Sequence, residues 1–219
     1  MGQLRVIDPR AAAEDEDVVG IGDDLSPETL LWAYRQGIFP WPMDDLPLLW
    51  FCPPQRAVLE FKNLKIPDRL AREKRNCGLS FTIDHAFDRV IAACRHIARP
   101  GQEGTWITEE MVAAYTELHR RGNVHSVEAW DTAGALAGGL YGVAVDGLFS
   151  GESMFHLVPN ASKLAFLYLA DHLRSRGADW LDIQTMTPHF AALGATFIPR
   201  NDFLDRLDTV HARNLQLFD

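Results

Sequence analysis

No run of eighteen apolar residues occurs in the 219-residue chain, so no segment is suited to span a bilayer as a helix. The first residues are polar and acidic, without the basic-then-apolar order of a secretory signal, which places the protein in the cytoplasm. Cysteine is scarce. Cys52, Cys77 and Cys94 lie far apart, with no CxxC or Cys/His ligand spacing, so neither a disulfide framework nor a metal site is expected. Glycine is missing where a phosphate loop would need it. Between a strand ending near Phe155 and a helix starting at Ala161 the chain reads His156-Leu-Val-Pro-Asn160, with no bare backbone to wrap a pyrophosphate. A coenzyme A donor is therefore unsupported, and no cofactor is expected. Internal repeats and low-complexity linkers are also absent.

Lysine is absent from the first 60 residues, where eleven acids face four arginines. The sign then reverses: residues 61–75 carry six bases against Asp68 and Glu73. The whole chain, at a net charge of −9, has no general affinity for polyanions. This one segment does have the charge for it. At helical spacing Arg69, Arg72 and either Arg75 or Lys65 share a side, which suits a phosphate backbone or a solvated helix face.

Ser26-Pro27-Glu28 supplies a helix start and Gly37 its stop. Two proline-framed aromatic stretches follow, Ile38-Phe-Pro-Trp41-Pro-Met and Leu48-Leu-Trp50-Phe51-Cys-Pro-Pro. They are expected to avoid central strands, because each proline removes a donor. They form either a plug between units or a stacking surface. Strands are expected at 56–61, 79–83, 123–130, 136–145 and 148–155, the last three as a meander. Helices are expected after Asp84 and after Thr108, each acting as a cap, and from Ala161 to a stop at Gly177. A short helix at 187–193, an extended piece at 197–199 and a last helix from Asp202 complete the order. The fold class is α+β: a small mixed N-terminal domain at 1–60, then an acyltransferase-like domain at 61–219 with a largely antiparallel sheet.

The chemistry concentrates in residues 146–188. Leu181, Asp182, Ile183 and Gln184 alternate, so at strand period the acid and the amide share one face. Glu152 lies on a strand that could be their neighbour, and Leu140, Phe149, Met154 and Ile183 surround the group with apolar side chains. Such an arrangement can bind a cationic group or orient an amine and take its proton; it is equally a satisfied polar cluster. Gly151-Glu-Ser-Met-Phe155 imitates a nucleophile elbow, but Phe155 stands where the second glycine belongs, which argues against a serine hydrolase.

The ordered words Gly37-Ile-Phe-Pro-Trp41, Arg56-Ala-Val-Leu59, Gly104-Thr-Trp106-Ile-Thr108, His125-Ser-Val-Glu-Ala-Trp130, Gly151-Glu-Ser-Met-Phe155, Asn160-Ala-Ser-Lys163 and Asp182-Ile-Gln184 together resemble the leucyl/phenylalanyl-tRNA–protein transferases. Ile183 stands where that family commonly has Cys. The resemblance implies an acetyltransferase-like (GNAT) second domain. It also implies transfer of Leu or Phe, and Met, from leucyl-tRNA or phenylalanyl-tRNA to proteins with N-terminal Lys or Arg, which marks them for degradation in the N-degron pathway. By the same resemblance Trp41 and Trp106 meet the 3′-terminal adenosine, and Arg69, Arg72, Lys74 and Arg75 the acceptor stem. Leu140, Phe149, Met154 and Leu169, with Ile183, line the aminoacyl pocket; Asp182, Gln184 and Glu152 are the catalytic residues. A monomer without metal or membrane contact is expected. A cell-wall aminoacyl-tRNA transferase and a non-catalytic RNA-binding module are the rival functions.

Overall fold

The computed structural model describes residues 4–43, 46–97 and 105–219; the loop expected at 101–104 lies outside them. Two sheets carry the described chain. The smaller has four strands in the order β1 (Arg5–Val6), β2 (Val18–Ile21), β4 (Leu49–Phe51), β3 (Phe39–Trp41), all antiparallel. Helix α1 (Pro27–Arg35) lies between β2 and β3 in sequence, capped by Ser26 Oγ, which accepts from Thr29 N. The expectation that the aromatic stretches avoid inner strands fails for β4, which is flanked on both sides. The reason is local: Pro53 and Pro54 fall just beyond Phe51, while Pro40 sits in β3, at the sheet edge, where a missing donor costs little.

The larger sheet has seven strands in the order β11-β5-β10-β9-β8-β7-β6. They are β5 (Gln55–Glu60), β6 (Ser80–Ile83), β7 (Val124–Trp130), β8 (Leu136–Val145), β9 (Leu148–His156), β10 (Trp180–Gln184) and β11 (Thr196–Pro199). Every pairing is antiparallel except β9 with β10. The α+β class and the largely antiparallel sheet are as expected. Strand β5, which falls within the N-terminal unit expected at 1–60, lies in the larger sheet, between β10 and β11. Its apolar run Ala57-Val58-Leu59 is fully buried, and only a strand covered on both faces satisfies it.

The sheet separates two cores. Tyr141, Val143, Leu148 and Phe155 face the first, which includes α3 (Phe87–His96), α4 (Glu109–Arg120), α1, α7 (Arg200–Arg213) and the small sheet. Leu140, Phe149, Leu181 and Ile183 face the second, dominated by α5 (Ala161–Ser175). Helix α5 lies close against β8 because Gly138 has no Cβ; one added there would come within 2.8 Å of the Ala161 Cβ. Thr108 caps α4 as expected, its hydroxyl accepting from Met111 N. Asp84 does not cap α3. It adopts a left-handed φ of 59° and accepts from Ser126 N at 2.8 Å, while the buried Glu128 on β7 accepts from His85 N and Ala86 N at the helix start.

Candidate active site

Beside Ser150, β10 runs parallel to β9, the register partner being Asp182. Both strands then leave regular geometry. On β9 the pairing with β8 steps from Tyr141↔Ser153 to Gly142↔Gly151, so Glu152 is the extra residue of a bulge. A parity change confirms it: Leu148 and Phe155, seven positions apart, face the same core. On β10 the pairing with β5 skips Ile183, and Gln184 takes a left-handed φ of 60°. These two irregularities open the sheet between its only described parallel neighbours.

The opening leads into a cavity of about 360 Å³. Its apolar walls include Leu140, Phe149, Met154, Leu169 and Ile183, the five residues expected there, and also Phe166, Leu181 and Phe190. Glu152 and Gln184 line it at the sheet, and Trp41 and Trp106 complete the rim. The two indoles stack on each other at 5.0 Å with 17° between planes, so no base fits between them.

Asp182 is placed differently from the alternation argument. Leu181 and Ile183 do face the chamber together, but Gln184 reaches it as well, through its left-handed turn, and Asp182 does not. The acid and the amide are thus parted. Asp182 is fully buried and receives Arg56 Nε at 2.8 Å and Nη2 at 2.7 Å, Ser150 Oγ at 3.0 Å and Gln184 N at 2.9 Å. Arg56 is itself buried between the Phe39 and Phe203 rings, at 4.7 and 4.6 Å. Burial works against its charge, but the charge and hydrogen bonds of Asp182 more than offset this and raise its pKa.

Glu152 is the carboxyl that faces the chamber. Its Oε1 accepts from Gln184 Nε2 at 2.6 Å and from Tyr34 OH at 2.8 Å, and its Oε2 accepts from Tyr115 OH at 3.3 Å. The two phenol oxygens are 2.7 Å apart. Loss of hydration lifts the Glu152 pKa to about 7, with the nearby Asp182 charge adding to the lift and the Tyr34 and Gln184 hydrogen bonds restraining it. Burial, then the Glu152 charge, holds both tyrosines well above their ordinary pKa, so both stay donors. A carboxyl poised near neutrality can take or give a proton at physiological pH.

Arg69, Arg72 and Arg75 are exposed on α2 (Asp68–Asn76), without an ion-pair partner among the described residues. Lys74 differs, pairing with Asp171 of α5 at 2.6 Å. Arg69 and Lys163 border a cleft that shares His189 with the main cavity. Burial, with the Lys163 charge adding, lowers the His189 pKa to about 4, so its imidazole is neutral near pH 7.

A family model for leucyl/phenylalanyl-tRNA protein transferase matches residues 58–208, and the model for its N-terminal domain matches residues 23–54. The chain belongs to this family. Leucyl/phenylalanyl-tRNA–protein transferases from Lawsonia intracellularis and Maridesulfovibrio salexigens are each 48% identical to it, over 91% and 90% of this chain and 87% and 82% of theirs. The enzyme of Anaeromyxobacter sp. strain K is 50% identical over 90% of this chain and 84% of its own. The chain is therefore an aminoacyltransferase, and aminoacyl-tRNA and protein are its substrates. Between the two matched stretches lie residues 55–57, the start of β5.

Three residues that hold Glu152 and Asp182 are not legible in the sequence as part of this cluster: Tyr34, Tyr115 and Arg56. A signal existed for one of them. An arginine leading into Ala57-Val58-Leu59, on an inner strand, demands a buried acidic partner, and Asp182 within Leu181-Asp182-Ile183 makes the same demand in reverse.

Proposed function

We propose that this transferase moves Leu, Phe or Met from its tRNA onto the α-amine of proteins that begin with Lys or Arg, and so marks them for degradation. It acts as a monomer in the cytoplasm. The observation that carries this is the meeting of Glu152 and Gln184 above an apolar chamber whose rim is two stacked indoles. The donor's side chain sits among Leu140, Phe149, Met154, Leu169 and Ile183. Its adenosine stacks on the open face of Trp41, supported from behind by Trp106, and the acceptor stem runs toward Arg69, Arg72 and Arg75.

The ester is already activated, so the site need only position an unprotonated amine and handle its proton. Gln184 donates its amide N–H to Glu152, which leaves its carbonyl oxygen to hold the amine. The amine nitrogen attacks the ester carbonyl, a C–N bond forms, and Glu152 receives the proton that the nitrogen sheds. The C–O bond to the ribose breaks as that proton passes to the leaving oxygen. Glu152 and Gln184 are thus the catalytic pair, with Asp182 a positioning residue that anchors the Gln184 backbone while Arg56 anchors Asp182. An apolar chamber separates Leu, Phe and Met from polar side chains strongly, and from one another weakly, since a methylene is worth only about 1–3 kcal/mol.

The test is transfer of labelled Phe from its tRNA to peptides that differ only in the first residue. Peptides starting with Lys or Arg are expected to accept it, and ones starting with Ala or Asp are not. Absence of transfer to the basic peptides would overturn the proposal.

A further inference from the structure

Residues 214–219 lie beyond the stretch that the family model matches, yet they pack behind the chamber. Asn214 ends α7 in a left-handed turn, φ 49°, which sends the chain back toward α5. Leu215 then sits near Gly147 and Gly177, and Leu217 is buried. The Phe218 ring lies flat on His125, with centroids 3.8 Å apart and 10° between planes, and His172 stacks on it at 5.1 Å. His172 Nε2 hydrogen-bonds Leu217 O at 2.8 Å, and Arg176 holds both carboxylate oxygens of Asp219 at 2.7 and 2.6 Å. His125 is fixed in turn by Asp84 Oδ2 at 2.6 Å.

Phe218 also touches the chamber wall. Its ring is 5.9 Å from that of Phe149, tilted by 46°, and Phe149 lines the cavity. The Phe149 ring covers Gly142 so closely that a Cβ there would fall 2.5 Å from its Cζ. Two of the groups packed against Phe149 differ in how they can respond: the bare backbone at Gly142 cannot give, whereas Phe218 is held by the stacked side chains of His125 and His172.

We propose that Phe218 is a specificity-determining positioning residue: clamped between His125 and His172, it holds Phe149 in place and so limits the room for the donor side chain. This rests on the chamber being the seat of that side chain. Loss of the Phe218 ring lets Phe149 recede, and the larger donor gains more than the smaller one. A merely structural role for the segment would instead lower transfer of all donors together.

The experiment compares kcat/KM for phenylalanyl-tRNA and leucyl-tRNA, with one Lys-starting peptide, in the full chain carrying F218A, F218L or F149L. The Phe-to-Leu ratio is expected to rise about fivefold or more in F218A, and less but in the same direction in F218L. F218L keeps the test decisive if F218A folds poorly. A ratio within about twofold of the wild type in the folded Phe218 variants, while F149L shifts it, would overturn the role of Phe218 and leave the chamber assignment standing. A ratio unmoved by F149L as well would overturn both.

Discussion

Arg56 grips both carboxylate oxygens of Asp182, at 2.8 and 2.7 Å, in a pair with neither side chain more than 2% exposed. In the mechanism proposed above, that grip keeps Asp182 from taking the amine proton and leaves the task to Glu152. Asp182→Asn strands a buried guanidinium and is expected to cost about 3–5 kcal/mol of stability. The R56M/D182L pair should regain most of that stability in urea unfolding, yet remain slow, because the Gln184 backbone loses its anchor. Full activity in the double variant would contradict the positioning role.

Glu152 makes an opposite prediction for stability. Its folded pKa of about 7 lies above the ordinary 4.5, so the folded state binds the proton more tightly than the unfolded chain. Stability contributed by this group therefore falls as pH rises from about 4.5 to 7, and the loss is complete above that range. E152Q removes the titration. At pH 8 it should be the more stable protein by up to about 3 kcal/mol, with the difference gone near pH 4.5. A less stable E152Q at pH 8 would show that the carboxyl is well solvated.

Trp41 and Trp106 are already in contact, so a base can stack only on an outer face. Trp41 is the more exposed of the two. Trp41→Ala should weaken donor binding by about 1–3 kcal/mol, and Trp41→Phe should keep most of it. Measuring the KM for the aminoacyl-tRNA in the two variants checks this. Equal losses in both would mean that hydrogen bonding, not stacking, holds the adenosine.

Arg72 projects from α2 into solvent. If it meets a phosphate, Arg72→Glu lowers tRNA affinity and reduces the slope of log K against log salt by roughly 1. An unchanged slope would return this helix to a solvated face. Lys74 is a weaker candidate than its neighbours because Asp171 already holds it.

Much of the fold is legible in residue order because local rules agree with the global answer. Ser26, Thr108 and Thr187 cap the helices that follow them, and Gly37, Gly122, Gly177 and Gly194 stop the preceding ones with positive φ. Of the chamber's apolar lining, Leu140, Phe149, Met154 and Ile183 are legible from their place around the polar groups, Leu169 only through the family resemblance, and Phe166, Leu181 and Phe190 not at all. What escapes is decided by departures from period two. A bulge at Glu152 and a left-handed Gln184 move polar groups across the sheet, and no alternation pattern announces either. Asp84 looks like a cap by position, but its carboxylate is taken by Ser126 and His125, and Glu128 from a distant strand replaces it. Tyr34 and Tyr115 are far from Glu152 in sequence; only tertiary packing brings them together.

The most direct measurement is the pH dependence of single-turnover transfer from phenylalanyl-tRNA to a saturating Lys-starting peptide, in the wild type, E152Q and D182N. The wild-type rate should rise through an inflection near 7, below that of the peptide's own amine at about 8. E152Q should lose the inflection and about 100-fold or more in rate, whereas D182N should be slow but keep it. An inflection near 7 that survives in E152Q, or one that vanishes in D182N, would contradict Glu152 as the proton acceptor.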